Sequence, residues 1–468
     1  MTIHSQISSD ESLYLTVGLN LETAILPPAR ALSSKQISYL AIRIAGHFAD
    51  NPPRIFINSG NHMEFVTPFY DLSVTGSLAP AVVAKSQSIK YWRKKIQYEA
   101  DIARINYEAA NRTVGGSLPG AQLYSSDKTV KKVKDKKTET QKYLASRYMV
   151  NTKTNDKVLL SDLAMQAAHH RFQELYWVAK NFEAIANEKN MGWLFVTYTA
   201  PPEYHPNPLK GKCSYDASLG VKASHRYILD AWARIRARLN SRGIKADINT
   251  YFGFRTAETH KDGAVHWHLL VFAASETAKS FIAASAEYFP NYGQMKVEVG
   301  DPKIGNAASY IFKYLAKGFD QSATKLADNT SQTKSDELRE EADMASIRNG
   351  ERVRAALKTM RVRQYQPFGV KNVMTLIRSI NKLKEEDFAS LTGGVGKVVK
   401  SKIWRNLTGL KYLLEHPKIF TKKNGVALLM MIREEASTVY GEKSYKVTGI
   451  KMGYHIISTQ GLYKVENV

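Results

Sequence analysis

The sequence predicts an α+β fold with an antiparallel central sheet. Three observations carry that reading. Between residues 193 and 319, short runs rich in β-branched and aromatic residues alternate with longer runs of helical apolar period. Their order is strand, helix, strand, strand, helix, strand, helix. The second and third strands are joined by a tight turn containing Asp262-Gly263, which makes that pair antiparallel.

Each element follows from its residues. "WLFVTYTA" (193–200) reads as a strand. "SHRYILDAWARIRARLNSRG" (224–243) reads as a helix: Ile228, Trp232, Ile235 and Leu239 form its apolar stripe, Arg234 and Arg238 lie off it, and Gly243 ends it. "DINTYFGFRTAE" (247–258) and "VHWHLLVFAA" (265–274) are the paired strands. "SETAKSFIAASAEYF" (275–289) is a helix opened by a serine, "MKVEV" (295–299) a strand and "GNAASYIFKYLAKGF" (305–319) a last helix. This order is the split βαβ, ferredoxin-like arrangement with one added helix. Its first and third strands lie side by side in mid-sheet, so "VHWHLLVF" is central.

The flanks read as mainly helical. A helix lies near "SKQISYLAIRIAGHF" with Ser34 as N-cap, and others span about 86–112 and 161–188. The lysine-rich stretch 125–142 reads as a solvated loop or linker. The expected organisation is an N-terminal region 1–84, a helical region 85–190, a core 191–320, a polar linker 321–350 and a mainly helical region 351–468 with a strand-like tail.

Composition limits the function. Lys and Arg number 66 against 43 Asp and Glu, giving a formal charge of +23 and a pI near 9.7. Such a surplus repels itself unless a polyanion neutralises it, and nucleic acid is the common partner. The single cysteine, Cys213, excludes internal disulfides and cysteine-based zinc sites. The first residues lack the pattern of a signal peptide. The longest apolar run, "VALLMMI" (426–432), is too short to span a bilayer. The expectation is a cytoplasmic protein with no membrane partner.

His266 and His268 are two apart on a strand, so both imidazoles leave one face while Trp267 leaves the other. Two imidazoles on one face can grip a divalent ion; the competing reading is two histidines that merely share a half-buried strand. A third ligand decides. If the turn is the three-residue loop Lys261-Asp262-Gly263, with Gly263 at positive φ, Glu258 lies opposite His266. A two-residue turn would put Thr259 there instead. His260 and Asp262 are weaker candidates because they lie at the turn itself. Two neutral nitrogens and one carboxylate suit Mg²⁺ or Mn²⁺ bound together with phosphate oxygens; zinc is also compatible.

The last helix carries "YIFKYLAK". Tyr310 and Tyr314 leave one helix face, and Lys313 and Lys317 an adjoining one. Such tyrosines commonly pack a core, but beside a metal strand they have a chemical use. A phenolic oxygen can attack a phosphodiester whose non-bridging oxygen a metal polarises, while lysines neutralise the developing charge. The bond is exchanged rather than hydrolysed, so the strand can be rejoined without ATP. Further on, 351–369 carries Arg352, Arg354, Arg361 and Arg363 with Tyr365 close behind. Basic and aromatic side chains so interleaved suit single-stranded DNA; a solvated basic helix is the other reading.

"GAVHWHLLVF" together with "YIFKYLAK" resembles the two-tyrosine HUH endonucleases, and more closely the bacteriophage replication gene A protein family of rolling-circle initiators. "LFVTYTAPPEYHP" (194–206), "RTAETHKDGAVHWH" (255–268) and the basic block 351–369 resemble further stretches of that family, as does "IKYWRKKI" upstream. The resemblance covers roughly 85–370. It implies an HUH core, His266, His268 and Glu258 as metal ligands, and Tyr310 and Tyr314 as nucleophiles used in turn on origin DNA through a 5′-phosphotyrosine. No GxxxxGK[ST] loop occurs, since "LTGGVGKVV" lacks the first glycine and the final hydroxyl, so a host helicase is the expected partner.

Other readings keep part of this chemistry. A plasmid initiator, relaxase or two-tyrosine transposase would share the step. A metal hydrolase would cut DNA without becoming attached to it, and a non-catalytic basic DNA-binding protein would not cut it.

Overall fold

The computed structural model describes residues 28–300 except 60, 61, 68, 70, 71, 118 and 210, then 307, 344–370, 378, 429–452, 455–458 and 463–467. The chain divides into two compact units, one formed by Met1–Tyr107 with Glu435–Lys446 and the other by Glu108–Glu434 with Val447–Val468.

In the first unit, α1 (Ser34–Asp50) begins one residue after the N-cap. That cap is Ser33, not Ser34. Its hydroxyl accepts from the Gln36 amide at 3.2 Å while its own amide donates to the Gln36 side chain at 2.8 Å, a reciprocal box that fixes the helix start. Strands β1 (Ile57–Ser59), β2 (His62–Val66) and β3 (Ser73–Gly76) form an antiparallel sheet, followed by α2 (Ala79–Ser86) and α3 (Ile89–Ala110). Ile37, Leu40, Ile44 and Phe48 pack with Val74, Trp92 and Ile96 in one core. Helix still dominates this flank, as expected, but the small sheet is an addition the sequence reading did not place. Strands of three to five residues are too short for an alternating pattern to stand out.

The second unit is mixed α and β, and its strands pair antiparallel. The lysine-rich stretch read as a linker is instead a helix, α4 (Asp127–Ala145). Ser126 caps it by accepting from the Thr129 amide at 3.1 Å, and its long straight side chains are good helix formers despite their charge. Strands β4 (Arg147–Asn151) and β5 (Lys157–Leu159) lead into α5 (Leu160–Glu188).

The central sheet comprises β6 (Gly192–Tyr198), β7 (Tyr251–Thr259), β8 (Val265–Ala273), β9 (Met295–Val299) and an unexpected β10 (Tyr365–Phe368). Their spatial order is β10-β7-β8-β6-β9, so β8 is central and lies directly beside β6. Helix α6 (Ala223–Ser241) joins β6 to β7, and α7 (Ser275–Ala286) joins β8 to β9. Ser275 is the first residue of α7; the N-cap is Ala274, which offers no side-chain oxygen. Every residue of β7 and β8 is buried. One face meets α5, where Phe182 packs on Phe252 and Phe254. The other meets α6 and α7, where Trp232 and Tyr251 both pack on Phe281.

Helix α8 (Met344–Met360) takes in the end of the expected linker 321–350 and most of the basic block. Arg361 at φ +54° turns the chain, and β10 then pairs with β7, Tyr365 opposite Thr256. Pro367 is tolerated there because β10 is an edge strand. Beyond 429 the described residues are strands rather than helix: β11 (Leu429–Ser437), β12 (Lys443–Met452), β13 (His455–Ser458) and β14 (Tyr463–Asn467). β14 pairs with β4. The strand-like tail expected at the end of this region is met by β12 and β13, which pair with each other, whereas β14 takes a partner remote in sequence, which hides it from local patterning.

Gly253 marks the tightest crossing in the sheet. A Cβ built there would stand 1.9 Å from the Leu270 carbonyl oxygen of β8. Backbone on a central strand cannot step aside, so Gly253→Ala is expected to lower stability by about 3 kcal/mol. Urea unfolding of the variant beside wild type measures it, and a loss below about 0.5 kcal/mol, the range of a neutral surface change, would contradict the clash.

Candidate metal centre

The site grows out of the β7–β8 hairpin. The His260 amide donates to the Ala264 carbonyl at 2.7 Å, and the Gly263 amide to the His260 carbonyl at 2.9 Å, with Gly263 at φ +90°. This sets the register. Glu258 stands opposite His266 and Thr259 opposite Val265, as the three-residue loop requires. Thr256 stands opposite His268, so Glu258, His266 and His268 share the face of the sheet that meets α5.

All three are nearly inaccessible, at 6%, 8% and 7% exposure. One ligand atom from each lies within 4.8 Å of the others. The Nε2 atoms of His266 and His268 are 2.9 Å apart, and His268 Nε2 is 3.9 Å from Glu258 Oε2. Cis ligands about 2.1 Å from an octahedral cation stand about 3 Å apart, so the pair of imidazoles fits such an ion. Among the described residues this is the one cluster of His, Cys, Asp and Glu with that geometry. His260 and Asp262, the weaker candidates, are not part of it.

Sequence reasoning missed the residues that support the triad. Thr197 on β6 stands opposite His268, and its Oγ1 meets His268 Nδ1 at 2.9 Å. Donation by Nδ1–H into that hydroxyl leaves the Nε2 lone pair free for a metal. The Phe195 ring stacks on His268 at 5.3 Å. The expected topology puts β6 beside β8 but does not set their register, so no local signal reveals Thr197. Removing the hydroxyl in Thr197→Val should weaken divalent-metal affinity by about 10- to 100-fold, measured by calorimetric titration with Mn²⁺. Unchanged affinity would leave Thr197 a packing residue.

A second group adjoins the triad. His205 Nδ1 lies 2.9 Å from Asp262 Oδ2, and the His205 ring packs edge-on to His260 at 4.9 Å. The His260 ring in turn lies 4.0 Å from that of His266. Burial, with His205 beside it, pushes His260 down to about 4, against the pull of Asp262, so its ring is neutral at pH 7. Tyr124 is also near, its phenol raised by burial and then by the Glu258 charge.

Of the other expected site residues, Tyr310, Lys313, Tyr314 and Lys317 lie outside the described residues. The basic block does not present one face. Arg352 and Arg354 are about 200° apart around α8. The Arg352 guanidinium donates to the Ser125 carbonyl and pairs with Asp127, fastening α8 to the start of α4. Arg354 lies half-buried on the same helix, Arg361 is exposed at the turn, and Arg363 is exposed just before β10. Tyr365 is half-buried in β10 with the Arg171 guanidinium 5.7 Å from its ring centre. No described helix is long and apolar enough to cross a membrane.

Residues 61–322 match the bacteriophage replication gene A protein (GPA) family. The chain is 27% identical over 330 residues to the replication gene A protein of Escherichia phage 186, covering 67% of this chain and 44% of that protein. It is 28% identical over 300 residues to the replication protein of Haemophilus phage HP1, covering 60% and 35%. To a probable replication endonuclease from a prophage-like region of Escherichia coli O6:H1 it is 25% identical over 315 residues, covering 64% and 36%. The chain thus spans between about a third and under half of the length of these relatives. No solved structure matches it. A match across 61–322, with the histidine pair and its carboxylate inside it, means that the chain belongs to the bacteriophage replication gene A protein family.

Proposed function

We propose that this chain is a phage replication initiator that nicks one DNA strand at an origin and later rejoins it. The observation that carries the reading is the buried Glu258, His266 and His268 cluster on the central strand pair of a replication gene A family member. The core would be a ferredoxin-like HUH endonuclease domain within 191–320. The strand order β9-β6-β8-β7, all pairs antiparallel, is the order a split βαβ unit gives, and it supports this. The relatives named as replication proteins and as a replication endonuclease support the role.

Glu258, His266 and His268 would hold Mg²⁺ or Mn²⁺, which when bound polarises a non-bridging oxygen of the scissile phosphate. The protein's own part is nucleophilic. The phenolic oxygen of Tyr310 or Tyr314 bonds to phosphorus, the P–O3′ bond breaks, and the phenol's proton passes to the leaving 3′-oxygen. One strand then ends in a free 3′-hydroxyl and the other in a 5′-phosphotyrosine. Lys313 and Lys317 offset charge on the phosphate as it reacts. Attack by a 3′-hydroxyl on the phosphotyrosine reverses the step and rejoins DNA without ATP. The second tyrosine can act while the first is loaded. Arginines of 351–369 with Tyr365 would hold the single strand, and a host helicase in the bacterial cytoplasm would open the duplex.

Single-stranded fragments tiled across the protein's own gene, incubated with Mn²⁺ or with EDTA, test this. Labelled DNA that stays on the protein through a denaturing gel, and only with metal, is the expected result. Cleavage with no adduct would replace the tyrosine by activated water.

A further inference from the structure

The tip of the β7–β8 hairpin holds a buried carboxylate, where a turn residue is ordinarily solvated. Asp262 is 4% exposed. Its Oδ1 accepts the Ala264 amide at 3.1 Å, as a turn aspartate commonly does. Its Oδ2 lies 2.9 Å from Nδ1 of His205, which follows β6 in the stretch "PPEYHP". A third stretch of chain closes over the pair. The Tyr124 amide donates to the Lys261 carbonyl at 2.8 Å, and the Gly116 amide to the Asn207 carbonyl at 2.9 Å. Gly115, at φ +89°, is pressed so close that a Cβ there would stand 2.7 Å from Asp262 Cα. Backbone from three parts of the sequence thus holds the pair in place.

Asp262 accepts the Nδ1 proton of His205, so Nε2 is the nitrogen left to give or take one. It makes no hydrogen bond among the described residues. An imidazole held at Nδ1 by a buried carboxylate and open at Nε2 is the arrangement that moves protons in acid–base catalysis. The pair adjoins the metal centre. The His205 ring meets His260 edge-on at 4.9 Å, and the His260 ring lies 4.0 Å from that of His266 in the triad. His260 Nε2 is buried and has no hydrogen-bond partner. An orphaned buried nitrogen is costly and marks a place that a polar ligand completes, as the oxygens of a phosphodiester would. We propose that His205, oriented by Asp262, is the catalytic acid of strand nicking and protonates the 3′-oxygen as it leaves phosphorus. This rests on the nickase reading above and names the carrier of the proton in it. As the phenolic oxygen bonds to phosphorus and the P–O3′ bond breaks, the bonding pair goes to O3′ and the Nε2 proton of the imidazolium joins it. The phenol's proton leaves to water and the imidazole takes one back from water, so protons and charge balance over the turn. In rejoining, neutral His205 accepts the proton of the attacking 3′-hydroxyl. Asp262 touches no reacting atom; it is a positioning residue that fixes the ring and its tautomer.

A leaving group that needs no proton tests the role. The tiled fragment that yields the adduct is synthesised with either oxygen or sulfur at the 3′ position of the mapped nick. A thiol is far more acidic than an alcohol, so the sulfur departs without an acid. Full-length protein with Mn²⁺ cleaves each substrate in single turnovers, and every variant is compared with wild type on the same substrate. His205→Ala and His205→Gln are expected to lose about 10²-fold in rate on the oxygen substrate and to run close to wild type on the sulfur one. Asp262→Asn should show a smaller loss with the same recovery. Mn²⁺ affinity, measured by calorimetric titration, should stay at the wild-type value in both His205 variants, which shows that the site is folded. Equal losses on oxygen and sulfur, no loss on either, or a fall in Mn²⁺ affinity that accounts for the loss overturns the assignment and leaves the pair structural. Wild-type protein that forms no adduct on any fragment would instead remove the nicking reading itself, so the two failures are distinct.

Discussion

Replacing both Tyr310 and Tyr314 by phenylalanine is expected to abolish the covalent protein–DNA adduct, while each single replacement should leave one nucleophile able to form it. The substitution removes one oxygen per ring and keeps the volume, so core packing survives if either ring is also structural. Without a phenolic oxygen no ester to phosphorus can form, and the metal cluster cannot substitute for it. Denaturing gels of labelled origin fragments read the result directly. The single variants also rank the residues: the one whose loss removes first-round cleavage opens the origin, and the other ends the round. A double variant that still forms the adduct at the wild-type level would mean that another nucleophile operates, and the chemistry assigned to these two positions would fall.

His266→Ala or His268→Ala is expected to lower the cleavage rate by about 10³-fold. Metal polarisation of phosphoryl oxygen is worth several kcal/mol, and each 1.36 kcal/mol is about tenfold in rate. Both histidines lie on a strand buried along its whole length, and each truncation also leaves a void beside the other imidazole. Their direct contact at 2.9 Å makes the two losses non-additive, so the double variant should be little worse than either single one. Rates measured against Mn²⁺ concentration separate the causes. A weakened site shifts the half-saturating metal concentration upward, whereas an unfolded protein loses activity at every concentration. Wild-type rate in EDTA would make the cluster a structural feature and remove the metal from the mechanism.

Much of the site was legible because its determinants are local. Alternation puts His266 and His268 on one face, and a three-residue turn with Gly263 at positive φ sets Glu258 opposite His266. Both follow from fewer than a dozen consecutive residues. The strands from 193 to 299 could be read for the same reason, their β-branched and aromatic runs being dense enough to outweigh noise. The lysine-rich stretch misled because charge was taken for a lack of structure, whereas Ser126 and a run of straight side chains start and sustain a helix.

The sequence by itself determined the α+β class, the hairpin register, the histidine pair with its carboxylate, and the basic charge. Only the tertiary structure decided what surrounds them. It set Thr197 against His268, ran β10 along the edge of β7 and fastened Arg352 to Asp127. These partners lie tens to hundreds of residues apart in the chain. Their pairing is set by which surfaces must be buried together, a condition that no local window of sequence contains.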